Sequence, residues 1–119
     1  MRFSYILRTN IKQINRYSKV LTSDTSNGAA LAMLYSLNLN NDDLKNPFIA
    51  IGSMNYDSNP CNNHLQKLSN IVKKSINEQN MNGFTYNTIG ISDGISMGTS
   101  GMKYSLPSRE IIADSIETF

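Results

Sequence analysis

The chain has 119 residues, of which 39% are hydrophobic and 17% charged, with a formal net charge of +2. That is the length of one small domain, and the balance of apolar to charged residues excludes a wholly disordered chain. No apolar run approaches the roughly 20 residues that cross a bilayer, and the single adjacent basic pair, Lys73–Lys74, makes no footprint for nucleic acid.

Residues 1–16 read as a basic arm. Arg2, Arg8, Lys12, Arg16 and Lys19 all precede the first acid, Asp24. That bias suits either an organelle transit segment or a plain basic extension. A secretory signal is not expected, because "FSYIL" is too short for an apolar core and no small-residue cleavage site follows.

Ser26 or Asn27 can cap a helix through "GAALAMLYSL", which places Leu31, Leu34 and Tyr35 on one face. "NLNNDDLKNP" is a polar connection. "FIAIGS", Phe48 to Ser53, is a continuous apolar run, the pattern of a strand covered on both faces. "MNYDSNPCNN" reads as a loop with turn formers around Pro60. Asn62 or Asn63 can cap a second helix, with Leu65, Leu68, Val72 and Ile76 at helical spacing. The "NMNG" segment ends it in glycine. "FTYNTIGI" alternates aromatic and β-branched residues as a second strand. A loop carrying Gly90, Gly94, Gly98 and Gly101 follows. Pro107 and Ser108 then open a last helix, with Glu110 in its first turn and Ile111, Ile112 and Ile116 on its apolar side.

The order helix, strand, helix, strand, helix predicts an α/β fold with parallel strands flanked by helices. Two strands make a poor sheet, so residues 17–119 are expected to be the N-terminal part of a larger α/β domain.

In such sheets ligands bind beyond the carboxyl ends of the strands. Cys61 follows the first predicted strand and Asp93 the second. A thiolate suits iron or another soft metal, and a carboxylate suits a hard cation such as Mg²⁺. The plainer alternatives are a buried, inert thiol for Cys61 and a turn acid before Gly94 for Asp93. As the sole cysteine, Cys61 can form no intrachain disulfide. His64, the sole histidine, sits at a helix start and suits a surface role better than that of a base. The glycine spacing fits neither G-x-G-x-x-G nor the P-loop pattern.

"NTIGISDGISMGTSGMKYSLPSREIIADSIET" resembles the signature region of the dihydroxy-acid dehydratases, in the wider family that includes sugar-acid and phosphogluconate dehydratases. "NPCNNHLQKL" resembles that family's Pro-Cys-Asn motif and the helix after it. "NPFIAIGS" and "YSKVLTSDTSNGAALAMLYSLNL" resemble its upstream segments, so the likeness runs from Tyr17 to Phe119. The "SDGISMG" and "GMKYSLPSRE" wording favours the dihydroxy-acid branch.

The resemblance implies a hydro-lyase that converts 2,3-dihydroxy-3-methyl acids to 2-oxo acids in valine and isoleucine synthesis. It implies that Cys61 binds an iron–sulfur cluster, 2Fe–2S in preference to 4Fe–4S, and that Asp93 binds Mg²⁺. Neither residue is implied to be the catalytic base, and no catalytic residue is assigned. Further implications are a small-molecule dihydroxy-acid substrate, a homodimeric complete enzyme, and no nucleic-acid or membrane partner. The compartment is the cytoplasm, or a mitochondrial or plastid interior if the basic arm is a transit segment. The family's two other cluster cysteines, an Asp-Lys pair, a Glu ligand and a serine base lie further along than Phe119. This chain is therefore expected to be a fragment, inactive and only marginally stable alone. The runner-up readings are a sugar-acid or phosphogluconate dehydratase, and a non-catalytic anion-binding α/β module.

Overall fold

A computed structural model describes residues 14–24 and 26–119. Apart from Ile14, Asn15 and Arg16, the expected basic arm lies outside them. The elements are α1 (Lys19–Thr22), α2 (Gly28–Tyr35), a 3-10 turn at Asp43–Lys45, β1 (Phe48–Ser53), α3 (Leu65–Asn77) and β2 (Asn82–Asn87). After β2 come α4 (Asp93–Ser96), a second 3-10 turn at Ser100–Tyr104, and α5 (Ser108–Thr118). β1 and β2 pair in a two-stranded sheet. At one end the Asn82 N–H donates to the Pro47 carbonyl at 2.9 Å, and at the other the Thr88 N–H donates to the Ser53 carbonyl at 2.7 Å. Both strands advance in the same direction between those bonds, so the pair is parallel, with α3 in the crossover. This is the α/β arrangement expected from the sequence.

Three expectations need correction. The second strand was expected over Phe84–Ile91 but starts at Asn82 and ends at Asn87. β1 ends at Ser53, and a paired strand has no ladder to join past its partner's last residue. The stop after α3 is not Gly83, which lies inside β2. Asn80 instead takes the left-handed backbone, φ 56°, which asparagine tolerates better than most residues. The glycine segment is not one open loop. Ser92 Oγ accepts the Ile95 N–H at 3.4 Å at the head of α4, and Thr99 Oγ1 accepts the Gly101 N–H at 3.2 Å at the head of the next turn. Gly98, φ 77°, makes the left-handed break between them.

The chain divides into two compact units, residues 1–49 with 76–82, and residues 50–75 with 83–119. In the first, Leu44 is 7% exposed, the sole buried hydrophobic among the described residues. Asparagine side chains do much of the fastening there. Buried Asn15 donates from Nδ2 to the Lys45 carbonyl at 2.8 Å and accepts from Ser18 Oγ at 2.5 Å. Ser18 Oγ in turn accepts the Phe48 N–H at 3.0 Å. Asn82 Nδ2 donates to the Asp43 carbonyl at 2.6 Å. Asn40 Oδ1 takes the N–H groups of Asp42 and Asp43, while the Asp43 carboxylate takes the Asn40 N–H, a reciprocal cap on the 3-10 turn. The Asn27 side chain accepts the Ala30 N–H and caps α2, as the sequence suggests.

In the second unit Tyr86 stacks on Phe119, ring centroids 4.2 Å apart and planes 15° from parallel. A Cβ at Gly52 would lie 2.8 Å from the Tyr86 hydroxyl, so the tip of this ring would have to shift if glycine were replaced on the neighbouring strand. α5 starts after Pro107, with Glu110 in its first turn, as expected. Apolar side chains are left largely uncovered, among them Leu68, Ile71 and Val72 on α3 and Ile111 and Ile116 on α5. No helix among the described residues is long and apolar enough to cross a membrane.

Candidate functional site

Both sequence-predicted site residues fall in the second unit. Cys61 lies in the loop after β1, and its thiol is free and exposed. Its backbone is nonetheless held. Asn59, 2% exposed, accepts the Cys61 N–H on Oδ1 at 3.1 Å, an Asx turn in which an asparagine binds the amide two residues on. The Asn59 carbonyl accepts the Asn62 N–H at 2.9 Å, and the Asn59 N–H donates to the Tyr56 carbonyl at 3.3 Å. Asn59 Nδ2 completes the set by donating to Tyr56 Oη at 3.1 Å. Pro60 suits the turn, since its fixed φ removes freedom between Asn59 and Cys61. The loop thus fixes the cysteine through the main chain and leaves its sulfur available.

Asp93 is placed differently. It does not sit at the end of β2, because residues 88–92 are not strand. It is the first residue of α4, behind the Ser92 cap. Its carboxylate is exposed, and Oδ1 accepts a hydrogen bond from Ser105 Oγ at 2.5 Å. Ser105 lies just beyond the second 3-10 turn, so this bond ties Asp93 to the segment leading into α5.

Tyr56 joins the two loops. Its phenol donates to the Gly90 carbonyl, just ahead of Asp93 in the chain. A Cβ on Gly90 would meet the Met54 methyl, the mobile end of a flexible side chain, and lie in ordinary contact 3.5 Å from the Tyr56 ring. Tyr56, Asn59 and Ser105 are absent from the sequence reading. The Asn-Pro-Cys order carries a visible Asx-turn signal for Asn59, whereas nothing local marks Tyr56 or Ser105.

The donor chemistry sets what the site can hold. An iron–sulfur cluster takes several thiolates, and this chain has one cysteine. Mg²⁺ takes several oxygens, and Asp93 offers it one carboxylate. Among the described residues no three of His, Cys, Asp and Glu converge where a metal ion could bind. Each residue could therefore serve as no more than a single donor, and the described residues hold no complete metal site. Each unit carries a surface groove whose lining includes neither residue. One, of about 530 Å³, includes Lys19, Tyr35, Leu44 and Lys45 in its lining, and the other runs along α3 past Asn63, Asn70 and Lys74.

Residues 46–119, a span that contains Cys61 and Asp93, match a family model described as dihydroxy-acid/6-phosphogluconate dehydratase N-terminal. The chain belongs to the dihydroxy-acid/6-phosphogluconate dehydratase family. A mitochondrial dihydroxy-acid dehydratase of Schizosaccharomyces pombe is 55% identical over 107 residues, covering 90% of this chain and 18% of that protein. One from Francisella tularensis is also 55% identical over 107 residues, covering 90% of this chain and 19% of that protein. A chloroplastic one from Arabidopsis thaliana is 50% identical over 110 residues, covering 92% of this chain and 18% of that protein. The chain thus spans less than a fifth of the length of these dehydratases.

Proposed function

We propose that this chain is the N-terminal part of a dihydroxy-acid dehydratase, a hydro-lyase that removes water from 2,3-dihydroxy-3-methyl acids to give 2-oxo acids for valine and isoleucine synthesis. The observation that carries the reading is the 55% identity over 107 residues to enzymes of that name. Cys61 would give one thiolate to an iron–sulfur cluster, 2Fe–2S in preference to 4Fe–4S, and Asp93 one oxygen to Mg²⁺. When bound, these groups supply Lewis-acid chemistry toward a leaving hydroxyl and a substrate carboxylate. The chain's own contribution is to hold its two donors. The Asx turn at Asn59 presents the Cys61 sulfur to solvent, and the Ser105 hydroxyl orients the Asp93 carboxylate by one of its oxygens. In this reading neither residue is the general base.

The substrate is a small molecule, and the working unit of the complete enzyme is a homodimer. The relatives' names include mitochondrial, chloroplastic and unqualified forms, which supports an organelle interior or the cytoplasm. The test is a graft: the matched segment replaces its counterpart in the fission-yeast enzyme, which is then reconstituted anaerobically with iron and sulfide. Turnover of a 2,3-dihydroxy-3-methyl acid is expected. A graft that folds and takes up its cluster, yet turns over only sugar acids or nothing, overturns the reading.

A further inference from the structure

The Cys61 loop and the segment entering Asp93 leave different strands, so some contact must set one against the other if both donors serve one substrate. The structure contains a continuous polar path between them. The Cys61 N–H donates to Asn59 Oδ1, Asn59 Nδ2 donates to Tyr56 Oη, and the Tyr56 phenol donates to the Gly90 carbonyl. Each member is used in a way that fixes direction. The Asn59 amide spends its oxygen on one loop residue and its NH₂ on the other, and the phenol accepts from Asn59 while donating to Gly90.

The path is also sheltered. Asn59 is nearly fully buried and Tyr56 half-buried, so water competes weakly for these bonds. Its far end is closely packed, since Gly90 lies where a Cβ would strike Met54. Buried Thr88 fastens the same segment one step earlier, through its N–H to the Ser53 carbonyl. The loops are therefore clamped at their roots by Thr88 and again, further out, by Tyr56.

We propose that Tyr56 and Asn59 are positioning residues that hold the Cys61 loop and the Gly90–Asp93 segment at one fixed mutual setting. The proposal rests on the reading of Cys61 and Asp93 as metal donors. Neither Tyr56 nor Asn59 is itself a donor in that reading. Losing the path would alter both metal sites at once, although each variant touches neither.

The test uses the grafted holoenzyme, with residues numbered as in this chain. Tyr56→Phe removes one oxygen and keeps the ring. It is expected to raise the Mg²⁺ concentration for half-maximal activity by roughly 2- to 10-fold, the factor corresponding to one ordinary hydrogen bond. The visible iron–sulfur absorption of the same protein should bleach faster in air. Asn59→Ala, which removes the other side chain of the path and its bond to Tyr56 Oη, should move both readouts in the same direction. Tyr35→Phe is the control: it deletes a phenol–asparagine bond of the same kind, to Asn41 Oδ1 at 2.7 Å, and should move neither. A merely structural role for Tyr56 would lower the unfolding temperature while leaving the Mg²⁺ requirement and the bleaching rate of folded protein unchanged. That result in both Tyr56→Phe and Asn59→Ala overturns the proposal. If Cys61→Ser still loses the cluster in that case, the donor reading stands alone. If instead Cys61→Ser keeps its cluster and Asp93→Asn keeps its Mg²⁺ dependence, the donor reading fails and takes the positioning proposal with it.

Discussion

The two loops that follow the strands treat their key residues in opposite ways. The loop after β1 grips Cys61 by its backbone amide, through a buried asparagine, and leaves the thiol untouched. The segment after β2 grips Asp93 by the carboxylate itself, through Ser105, on an exposed surface. A residue held by its main chain has a fixed Cα and a reactive group free to bind. A residue held by its functional group is aimed, but one of its oxygens is already occupied. Changes at the first loop should therefore act through placement, and changes at the second through charge and competition.

The largest effect is expected from Cys61→Ser in the grafted holoenzyme. A hydroxyl is a far poorer iron ligand than a thiolate, so most of the visible iron–sulfur absorption should be lost while far-ultraviolet circular dichroism is retained. Full absorption and full turnover in this variant would return Cys61 to an ordinary surface thiol.

Asp93→Asn should come next. The amide keeps the size and can still accept from Ser105, but the negative charge is gone. Near-normal folding and cluster content are expected, with a severe loss of turnover that high Mg²⁺ partly restores. A turn acid of no further consequence would give a silent change, because asparagine supports the same turn chemistry.

Asn59→Ala measures what holding the backbone costs. It strands the Cys61 N–H and removes the donor to Tyr56 Oη in a buried setting, a loss of about 1–3 kcal/mol. Amide hydrogen exchange at Cys61 should accelerate accordingly, while exchange within α5 stays unchanged. Equal acceleration at both places would mean that Asn59 supports the fold at large and not this loop.

The smallest effect belongs to an exposed carboxylate–serine contact in the other unit, which serves as a scale for the Asp93–Ser105 pair. Asp24 accepts from the Ser26 hydroxyl at 2.6 Å and from the Ser26 N–H at 2.9 Å. The hydroxyl bond, then the amide bond, hold its pKa below the ordinary carboxylate range. A lowered folded-state pKa means that the contribution is present above the unfolded pKa and lost as pH falls through the folded one. The difference in unfolding midpoint between the parent and Asp24→Ala should thus be small near neutrality, fade as the pH falls past the ordinary carboxylate range, and vanish only below the lowered folded-state pKa. A difference that persists in stronger acid would assign the effect to something other than the ionised carboxylate.

What could be read from the sequence was what local rules govern. The cap at Asn27, the apolar run of β1, the start of α5 after Pro107 and the α/β order all depend on residues within a few positions of one another. The end of β2 did not, because it is set by where β1 stops. The small helical turns at Asp93–Ser96 and Ser100–Tyr104 depend on Ser92 and Thr99 side chains folding back on their own segment, which glycine-rich composition disguises. The link from Tyr56 to Gly90 joins residues 34 positions apart, and no periodicity announces such a contact. Cys61 and Asp93 were legible as residues with chemistry. Asp93 does not stand at a strand end as expected, since a five-residue stretch separates it from β2.

The asparagines that fasten the first unit also set how the chain ages. An asparagine followed by glycine is prone to lose its amide, because the next backbone nitrogen can attack the side chain with no Cβ in the way. The chain has two such pairs, Asn27–Gly28 and Asn82–Gly83. Asn27 stands exposed at the head of α2. Asn82 is buried in β2, its amide nitrogen committed to the Asp43 carbonyl and its N–H to that of Pro47. On storage, peptide mapping should therefore find the conversion at Asn27 long before Asn82. Conversion at Asn82 would mark molecules that had already opened, so the ratio of the two would record how often the strand lets go.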